Sequence, residues 1–281
     1  MKIYLSTGGF QNSKVTKTIK DLNSHNIKNI ELSGGKFEKL YKKKVVKLGK
    51  KNDLMLHNYF PRYEKPFVFN LASQNQLIIN KSLNLAKTAI EINSKLNAKY
   101  YAFHAGFLFD PKINMLGDKP VPINIIDRKK GLKEFLKNVK ILSNFASKKN
   151  IILLIENNVV SYNQFTKYRY KPLMCDIKES LHIMNKTSKN VFLLMDFAHL
   201  KVSANSLLFS KKEYLKKLDK YIIAYHLSDN NSRSDDNLSF NKNSWFWRYI
   251  KPKAKYCSIE VYDDNILKLK KLISLVNKKT K

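Results

Sequence analysis

The predicted fold follows from one stretch of the chain, Leu193-Leu194-Met195-Asp196-Phe197-Ala198-His199-Leu200. An apolar run that begins at Val191 stops abruptly at Asp196, and His199 follows three residues later. A continuous apolar run is typical of a parallel strand that is buried on both faces, whereas a half-buried strand alternates. Open α/β sheets and β/α barrels place their functional groups at the carboxyl ends of such strands. The stretch therefore predicts a site beside Asp196.

The same layout of apolar run, polar residue and helical segment recurs along the chain. The predicted strands are Lys2–Ser6, Asn29–Leu32, Asp53–Leu56, Lys99–Phe103, Ile151–Ile155, Val191–Met195, Tyr221–Tyr225 and Tyr256–Ile259. The predicted helices cover residues 14–25, 36–50, 73–96, 127–149, 177–186, 207–218 and 266–281. Eight strands that alternate with helices at a repeat of roughly 30 residues favour a parallel sheet closed as a barrel. We predict an α/β protein with one (β/α)8 barrel domain over residues 1–281, and a doubly wound open sheet as the alternative.

Two segments outside this repeat carry separate expectations. Residues 107–124 form a long loop with three of the seven prolines, which is typical of a functional lid or of disorder. Trp245 and Trp247 are expected to pack a loop against the barrel rather than to stack on a sugar ring.

The formal net charge of +31 raises the question of a nucleic-acid partner. Only five of the 53 basic residues are arginine, and the lysines are spread over predicted helix surfaces. Nucleic-acid-binding proteins favour arginine and interleaved aromatic residues. The composition therefore argues against nucleic acid and favours a solvated surface, although the positive field would also suit a sugar-phosphate substrate.

The sequence also bears on the compartment. No window approaches the roughly 18 consecutive apolar residues of a membrane span, and the first residues lack the pattern of a signal peptide. Cys175 and Cys257 form neither a disulfide framework nor a Cys-x-x-Cys metal motif. We expect a cytoplasmic protein with no membrane partner.

A carboxylate or an imidazole stands at the end of six predicted strands. The six residues are His57, His104, Glu156, Asp196, His226 and Glu260. In a closed barrel they converge on one mouth, and three carboxylates in so small a space cannot all stay ionised without a cation. Carboxylate and imidazole ligands together suit Mn²⁺, Mg²⁺, Co²⁺ or Zn²⁺. The set predicts a divalent metal site.

Seven short motifs together resemble the xylose isomerase-like TIM-barrel superfamily, which includes sugar isomerases, ketose 3-epimerases and endonuclease IV. The motifs are Ile30-Glu31-Leu32-Ser33, Leu56-His57-Asn58, Phe103-His104-Ala105-Gly106, Ile155-Glu156-Asn157, Asp196-Phe197-Ala198-His199, His226-Leu227-Ser228-Asp229 and Ile259-Glu260. The resemblance spans nearly the whole chain and implies a TIM barrel. The motifs are specific to the superfamily and not to one reaction.

The resemblance to the epimerase branch implies a metal site and a reaction. In that branch one divalent cation is held by Glu, Asp, His and Glu of strands five to eight, which correspond to Glu156, Asp196, His226 and Glu260. Glu156 and Glu260 would double as the acid/base pair, one removing the proton beside a sugar carbonyl and the other returning it. The cation would stabilise the enediolate between these two steps. The resemblance thus implies a metal-dependent isomerase or epimerase of a sugar or sugar phosphate.

The resemblance also implies contacts to the substrate. It assigns substrate oxygens to His199 and to an arginine after the strand-seven histidine, for which Arg233 is the candidate at a spacing one residue longer than the family's. Four further strand-end residues are candidates for substrate contact, namely His57, His104, Glu31 and Asn58. Members of the family often dimerise, which leaves a homodimer open.

Two other functions stay open on the sequence. Endonuclease IV uses three zinc ions, and the eight residues that could match its ligands are His57, His104, Glu156, Asp196, His199, His226, Asp235 and Glu260. Its Asp-x-His motif would fall on Asp235-Asp236-Asn237, where an amide, a poor zinc ligand, replaces the imidazole. A metal-free binding or scaffold protein is the third hypothesis, against which stands the presence of all four ligand types.

Overall fold

The structure is a computed structural model that describes residues 1–117, 119–121 and 124–280. Its eight strands are β1 (Lys2–Ser6), β2 (Asn29–Leu32), β3 (Asp53–Leu56), β4 (Tyr100–His104), β5 (Ile152–Glu156), β6 (Val191–Asp196), β7 (Ile222–Leu227) and β8 (Tyr256–Ile259). All of the paired strands are parallel, in the order β3-β2-β1-β8-β7-β6-β5-β4.

A short contact between β3 and β4 closes the barrel. His57 forms a parallel bridge with Ala102, and the Asn58 N–H donates to the Ala102 carbonyl at 3.1 Å. The two edge strands of an open sheet would lie apart, so this contact excludes the doubly wound alternative. The predicted (β/α)8 barrel is confirmed.

The helices of the described residues connect the strands, and the last one follows β8. They are α1 (Val15–Ser24), α2 (Tyr41–Gly49), α3 (Gln76–Lys95), α4 (Arg128–Ser147), α5 (Tyr162–Tyr168), α6 (Ile177–Lys186), α7 (Phe197–Ser206), α8 (Lys211–Leu218) and α9 (Ile266–Lys279). Within the described ranges none of them combines the length and the apolar character that a membrane span requires.

Two of these helices, α5 and α7, are absent from the sequence prediction. The predicted helix over residues 207–218 begins instead at Lys211, where the Ser210 hydroxyl accepts from the Glu213 N–H and caps α8. Helix α7 starts directly at the end of β6, and four consecutive residues from Phe197 to Leu200 are buried. Only Lys201 and Asn205 of α7 reach solvent, and a helix buried on nearly all sides shows little amphipathic period, so the sequence carried no clear helical signal there.

Residues 107–124, the long loop predicted as a lid or as disorder, are described except for 118, 122 and 123, which lie outside the described residues. The described part contains a short 3-10 helix at Ile113–Met115. The Gly117 carbonyl accepts a hydrogen bond of 2.8 Å from the Gln164 side chain of α5. This contact joins the segment to the loop region that follows β5.

An aromatic stack fixes α7 against the barrel. The Phe197 ring, which is fully buried, lies between Tyr225 at 5.1 Å and Phe246 at 5.2 Å, with interplanar angles of 5° and 12°. Trp245 contacts Phe197 edge-on at 5.4 Å, and Trp247 packs on Phe246 at 4.9 Å. Both tryptophans therefore pack the loop after β7 against the barrel, as predicted.

Replacing Phe197 by alanine is expected to destabilise the protein by about 3–5 kcal/mol, because it removes a buried ring from between two stacked neighbours. The measurement is the free energy of unfolding from urea titration. Phe165→Ala is the matched control, since that ring is 40% exposed on α5. A cost below about 1 kcal/mol for Phe197→Ala, within the usual range of surface substitutions, would show that the stack does not hold α7.

Candidate metal centre and active site

Side chains along each strand point alternately inward and outward, and this alternation brings the candidate residues to one level of the barrel. Apolar side chains of the barrel interior form a buried cluster that includes Met55, Ala102, Leu154, Leu194 and Ala224. Successive side chains of a strand point to opposite faces, so the residue two positions later also faces inward. Those residues are His57, His104, Glu156, Asp196 and His226. The site is thus the layer directly above the apolar interior, at the carboxyl ends of the strands.

Glu156 is the centre of this layer. Its carboxylate is completely buried and lies close to four imidazoles. Oε2 accepts from His57 Nε2 at 2.7 Å and lies 3.3 Å from His104 Nδ1. Oε1 lies 3.3 Å from His226 Nδ1 and 3.5 Å from His199 Nδ1.

His226 connects Glu156 to the other carboxylates. Its Nδ1 lies 2.7 Å from Glu260 Oε2 and 3.8 Å from Asp196 Oδ2, while its Nε2 lies 2.9 Å from Glu31 Oε1. Glu156, Asp196, His226 and Glu260 each offer one ligand atom, and these four atoms all lie within 4.8 Å of one another. The structure therefore brings together the four residues that the sequence predicted as metal ligands.

Three ligand atoms of this set fit a metal ion because they are buried and form no hydrogen bond. Glu156 Oε1, Asp196 Oδ2 and His226 Nδ1 have no hydrogen-bond partner among the described residues, since their close contacts lack hydrogen-bond geometry. Buried polar atoms are normally hydrogen-bonded, so three orphans in one cluster need an explanation. One divalent cation would satisfy all three, and three carboxylates with one imidazole suit Mn²⁺, Mg²⁺, Co²⁺ or Zn²⁺.

Asp196 has a second role that leaves one oxygen free. Its Oδ1 accepts from the His199 N–H at 2.7 Å and caps α7, so Oδ2 remains available. The Asn157 amide fixes the position of Asp196 because it accepts from the Asp196 N–H at 2.8 Å and donates to its carbonyl at 3.1 Å. His199 Nδ1 in turn lies 2.8 Å from the Asn157 carbonyl. The ends of β5 and β6 are thus locked together.

The pKa values of the carboxylates diverge. Burial raises the pKa of Asp196 to about 7, against the partly compensating positive charge of His199. Burial acts in the same direction on Glu156 and Glu260, but the neighbouring imidazoles outweigh it and lower both pKa values. The cluster without metal therefore holds two ionised glutamates beside an aspartate that is easily protonated.

The pKa values of the imidazoles diverge as well. Burial lowers the pKa of His104 to about 4, which keeps its ring neutral. Burial also disfavours the charged forms of His57, His199 and His226, but the surrounding carboxylates reverse this and raise their pKa values. A cation bound to His226 must displace the proton of its ligating nitrogen, so metal affinity is expected to weaken as the pH falls.

A cavity of about 430 Å³ opens above the cluster. His57, His104, His199 and Glu260 border it, whereas Glu156, Asp196 and His226 lie beneath and are not among its described lining. Apolar residues of the segment after β4 form one wall, namely Phe107, Phe109, Pro111, Ile113, Met115 and Leu116. The arrangement is a polar, ionisable floor under a partly apolar enclosure, as in small-molecule sites.

Comparison with known protein families identifies the family of this chain. Residues 19–278 match the model of the xylose isomerase-like TIM barrel family. The chain belongs to this family. No curated protein matches the chain.

Solved structures of similar fold include several proteins that are named as sugar epimerases. A D-tagatose 3-epimerase-like protein superposes with a TM-score of 0.72 at 20% identity, covering 100% of both chains. The D-psicose 3-epimerase from Clostridium cellulolyticum H10, solved with D-tagatose, gives 0.64 at 11% identity, covering 100% of this chain and 96% of that one. The IolI protein with a bound zinc atom also gives 0.64, at 15% identity with coverage of 100% and 96%. At these identities the likeness establishes the fold.

The substrate contacts expected from the family resemblance are only partly brought together. Asn58 lines the cavity, and its Oδ1 accepts from the His104 N–H at 3.4 Å. Glu31 is buried beside His226 Nε2 and is not part of the described cavity lining. Arg233 is exposed on the loop after β7 and lies outside that lining. Arg62, on the loop after β3, does line the cavity, and sequence reasoning missed it because it lies outside the Leu56-His57-Asn58 motif.

Proposed function

We propose that the protein is a sugar isomerase or epimerase that uses one divalent cation held by Glu156, Asp196, His226 and Glu260. The observation that carries the proposal is the set of four ligand atoms within 4.8 Å, three of them buried without hydrogen-bond partners, beneath a cavity. When bound, the cation would polarise the carbonyl of a ketose and make the adjacent C–H more acidic.

Glu260 and Glu156 are proposed as the acid/base pair. Glu260 borders the cavity with 7% of its surface exposed, and its Oε1 accepts from the Ser6 hydroxyl at 3.2 Å. Glu156 lies deeper, held by His57, with its Oε1 unused. Two carboxylates that reach a substrate carbon from different directions allow one to remove its proton and the other to return one.

Three histidines and one amide on the cavity floor are proposed to orient the substrate. His57, His104, His199 and Asn58 present ring nitrogens or amide groups that suit sugar hydroxyls. His199 is held from both sides, since Nδ1 lies 2.8 Å from the Asn157 carbonyl and Nε2 lies 3.1 Å from Asp235 Oδ2. The Nδ1 contact orients the ring, and Nε2 can position a substrate oxygen once that oxygen takes the place of Asp235 Oδ2.

Deuterium exchange tests the proposed function. The purified protein, loaded with Mn²⁺, is incubated in D₂O with a panel of ketoses and ketose phosphates, and NMR follows deuterium at the carbon beside the carbonyl. We expect uptake into at least one ketose, its loss after EDTA and its return with Mn²⁺. No uptake into any member of the panel by the metal-loaded protein would contradict the proposal.

A second candidate is an endonuclease IV-like activity on abasic DNA. His57, His104 and Glu156 form a further group of ligand atoms within 4.8 Å, which could accommodate a second ion. Against it, Asn237 stands where that branch has a zinc-binding histidine, and its Oδ1 is already engaged by the Ser228 hydroxyl at 3.0 Å. Three zinc ions per chain with cleavage of abasic DNA and no deuterium exchange would favour this candidate.

A further inference from the structure

Arg62 stands out among the residues that line the cavity. It is the one lysine or arginine in the described lining, although the chain carries 53 such residues. The general basicity of the protein therefore lies elsewhere on its surface. A single fixed positive charge inside an enclosed cavity acts directly on what binds there.

The Arg62 guanidinium is only partly satisfied by the protein. Within the described ranges no carboxylate oxygen lies within 4.0 Å of the Arg62 guanidinium, the limit for a salt bridge. Its Nη2 donates to the Gln11 Oε1 at 2.7 Å, while Nε is buried and has no hydrogen-bond partner there. A partly buried cation without a counter-charge is costly, and the planar fork of a guanidinium matches a phosphate or carboxylate.

A short chain of contacts relates Arg62 to the proposed catalytic carboxylate. The Gln11 Nε2 donates to the Gly8 carbonyl at 2.7 Å, which turns the amide oxygen toward Arg62. Gly8 packs against Glu260, because a Cβ on Gly8 would lie 3.3 Å from Glu260 Oε1. Arg62, Gly8, Gln11 and Glu260 all line the same cavity, so one substrate can contact both the guanidinium and the carboxylate.

We propose that Arg62 determines substrate specificity by binding an oxyanion, a phosphate or a carboxylate, on the substrate. This inference rests on the proposed function, because it takes the rest of the substrate to be a ketose. The cavity of about 430 Å³ falls in the range of roughly 300–1,000 Å³ usual for small-molecule sites, which leaves room for a ketose with an acidic substituent.

The first test compares matched neutral and acidic ketoses in the deuterium-exchange assay. Each of four proteins, the wild type, Arg62→Gln, Arg62→Lys and Arg248→Gln, is assayed with three substrates. The substrates are D-fructose, D-fructose 6-phosphate and 5-keto-D-gluconate. The wild type is expected to favour one acidic ketose over fructose by about 10- to 100-fold in kcat/KM, mainly through KM. Arg62→Gln should bring this ratio towards one and Arg62→Lys should restore part of it. Arg248→Gln, an exposed arginine outside the described lining, should leave the ratio unchanged.

The two acidic ketoses identify the source of the oxyanion, since one carries a phosphate and the other a carboxylate. A preference for fructose, or an acidic preference that Arg62→Gln leaves intact, would overturn the assignment of Arg62 while the isomerase proposal stands.

A second test does not depend on turnover. Millimolar inorganic phosphate is expected to raise the thermal midpoint of the wild type and of Arg248→Gln, but not that of Arg62→Gln. If no ketose exchanges and this Arg62-dependent shift is present, the proposed function fails and the oxyanion site is supported. An equal shift, or no shift, in all three proteins would contradict the site itself.

Discussion

Glu260→Gln is expected to reduce the rate of deuterium exchange into the substrate by about 10²- to 10⁴-fold. Glutamine has nearly the shape of glutamate, but its amide cannot accept a proton from carbon. Glu260 borders the cavity, so the loss would fall on the chemical step. The measurement is kcat for exchange at saturating Mn²⁺ and substrate, which separates proton transfer from weaker metal binding.

The control for this prediction is Glu213→Gln, which makes the same chemical change on the exposed surface of α8. Glu156→Gln is expected to show a loss similar to that of Glu260→Gln. The double variant should be little slower than either single one, because residues that act as a unit are not additive. Retention of more than about a tenth of the wild-type exchange rate by Glu260→Gln would refute its role as acid or base.

Asp196→Asn is the second substitution with a large expected effect, which is a loss of metal affinity. The asparagine oxygen can still accept from the His199 N–H and cap α7, whereas the proposed ligand oxygen Oδ2 becomes an amide nitrogen. We expect divalent-metal affinity to fall by more than about 100-fold, beyond the roughly 10- to 100-fold typical of changes in outer-shell partners. Isothermal titration of the metal-free protein with Mn²⁺ measures this directly.

Asp127→Asn is the matched control, because Asp127 caps α4 in the same way and lies outside the described lining of the cavity. The thermal midpoint of metal-free Asp196→Asn should equal or exceed that of the wild type, since the raised pKa of Asp196 shows that burial costs its charged form more than the nearby imidazoles stabilise it. The stabilisation that metal confers, about 2.7 kcal/mol at 100 times Kd, should disappear. Unchanged Mn²⁺ affinity would show that Asp196 is only a cap.

The strands could be predicted because buried parallel strands read as apolar runs, and β6 is the clearest case. Their ends could not be placed as well, because the ladder continues through polar residues such as Glu156 and His226. A hydropathy pattern ends at the first charged residue, whereas backbone pairing does not depend on side-chain polarity. Helix α7 was missed for a related reason, since it is buried on nearly all sides and shows little amphipathic period.

The convergence of Glu156, Asp196, His226 and Glu260 could be predicted because each of these residues follows an apolar run. The residues on loops could not, because no local pattern tells whether a loop side chain faces a cavity or solvent. Arg233 follows the strand-seven histidine at about the right spacing but is exposed, and Arg62 has no motif yet lines the cavity. Tertiary packing of the loops decides both positions.

The location of a bound metal tests the central claim most directly. Crystals grown with Mn²⁺ and measured near the manganese absorption edge should show one strong anomalous peak per chain, at bonding distance from Glu156, Asp196, His226 and Glu260. A peak bound only by His57, His104 and Glu156, or no peak with saturating Mn²⁺, would contradict the claim that these four side chains share one cation.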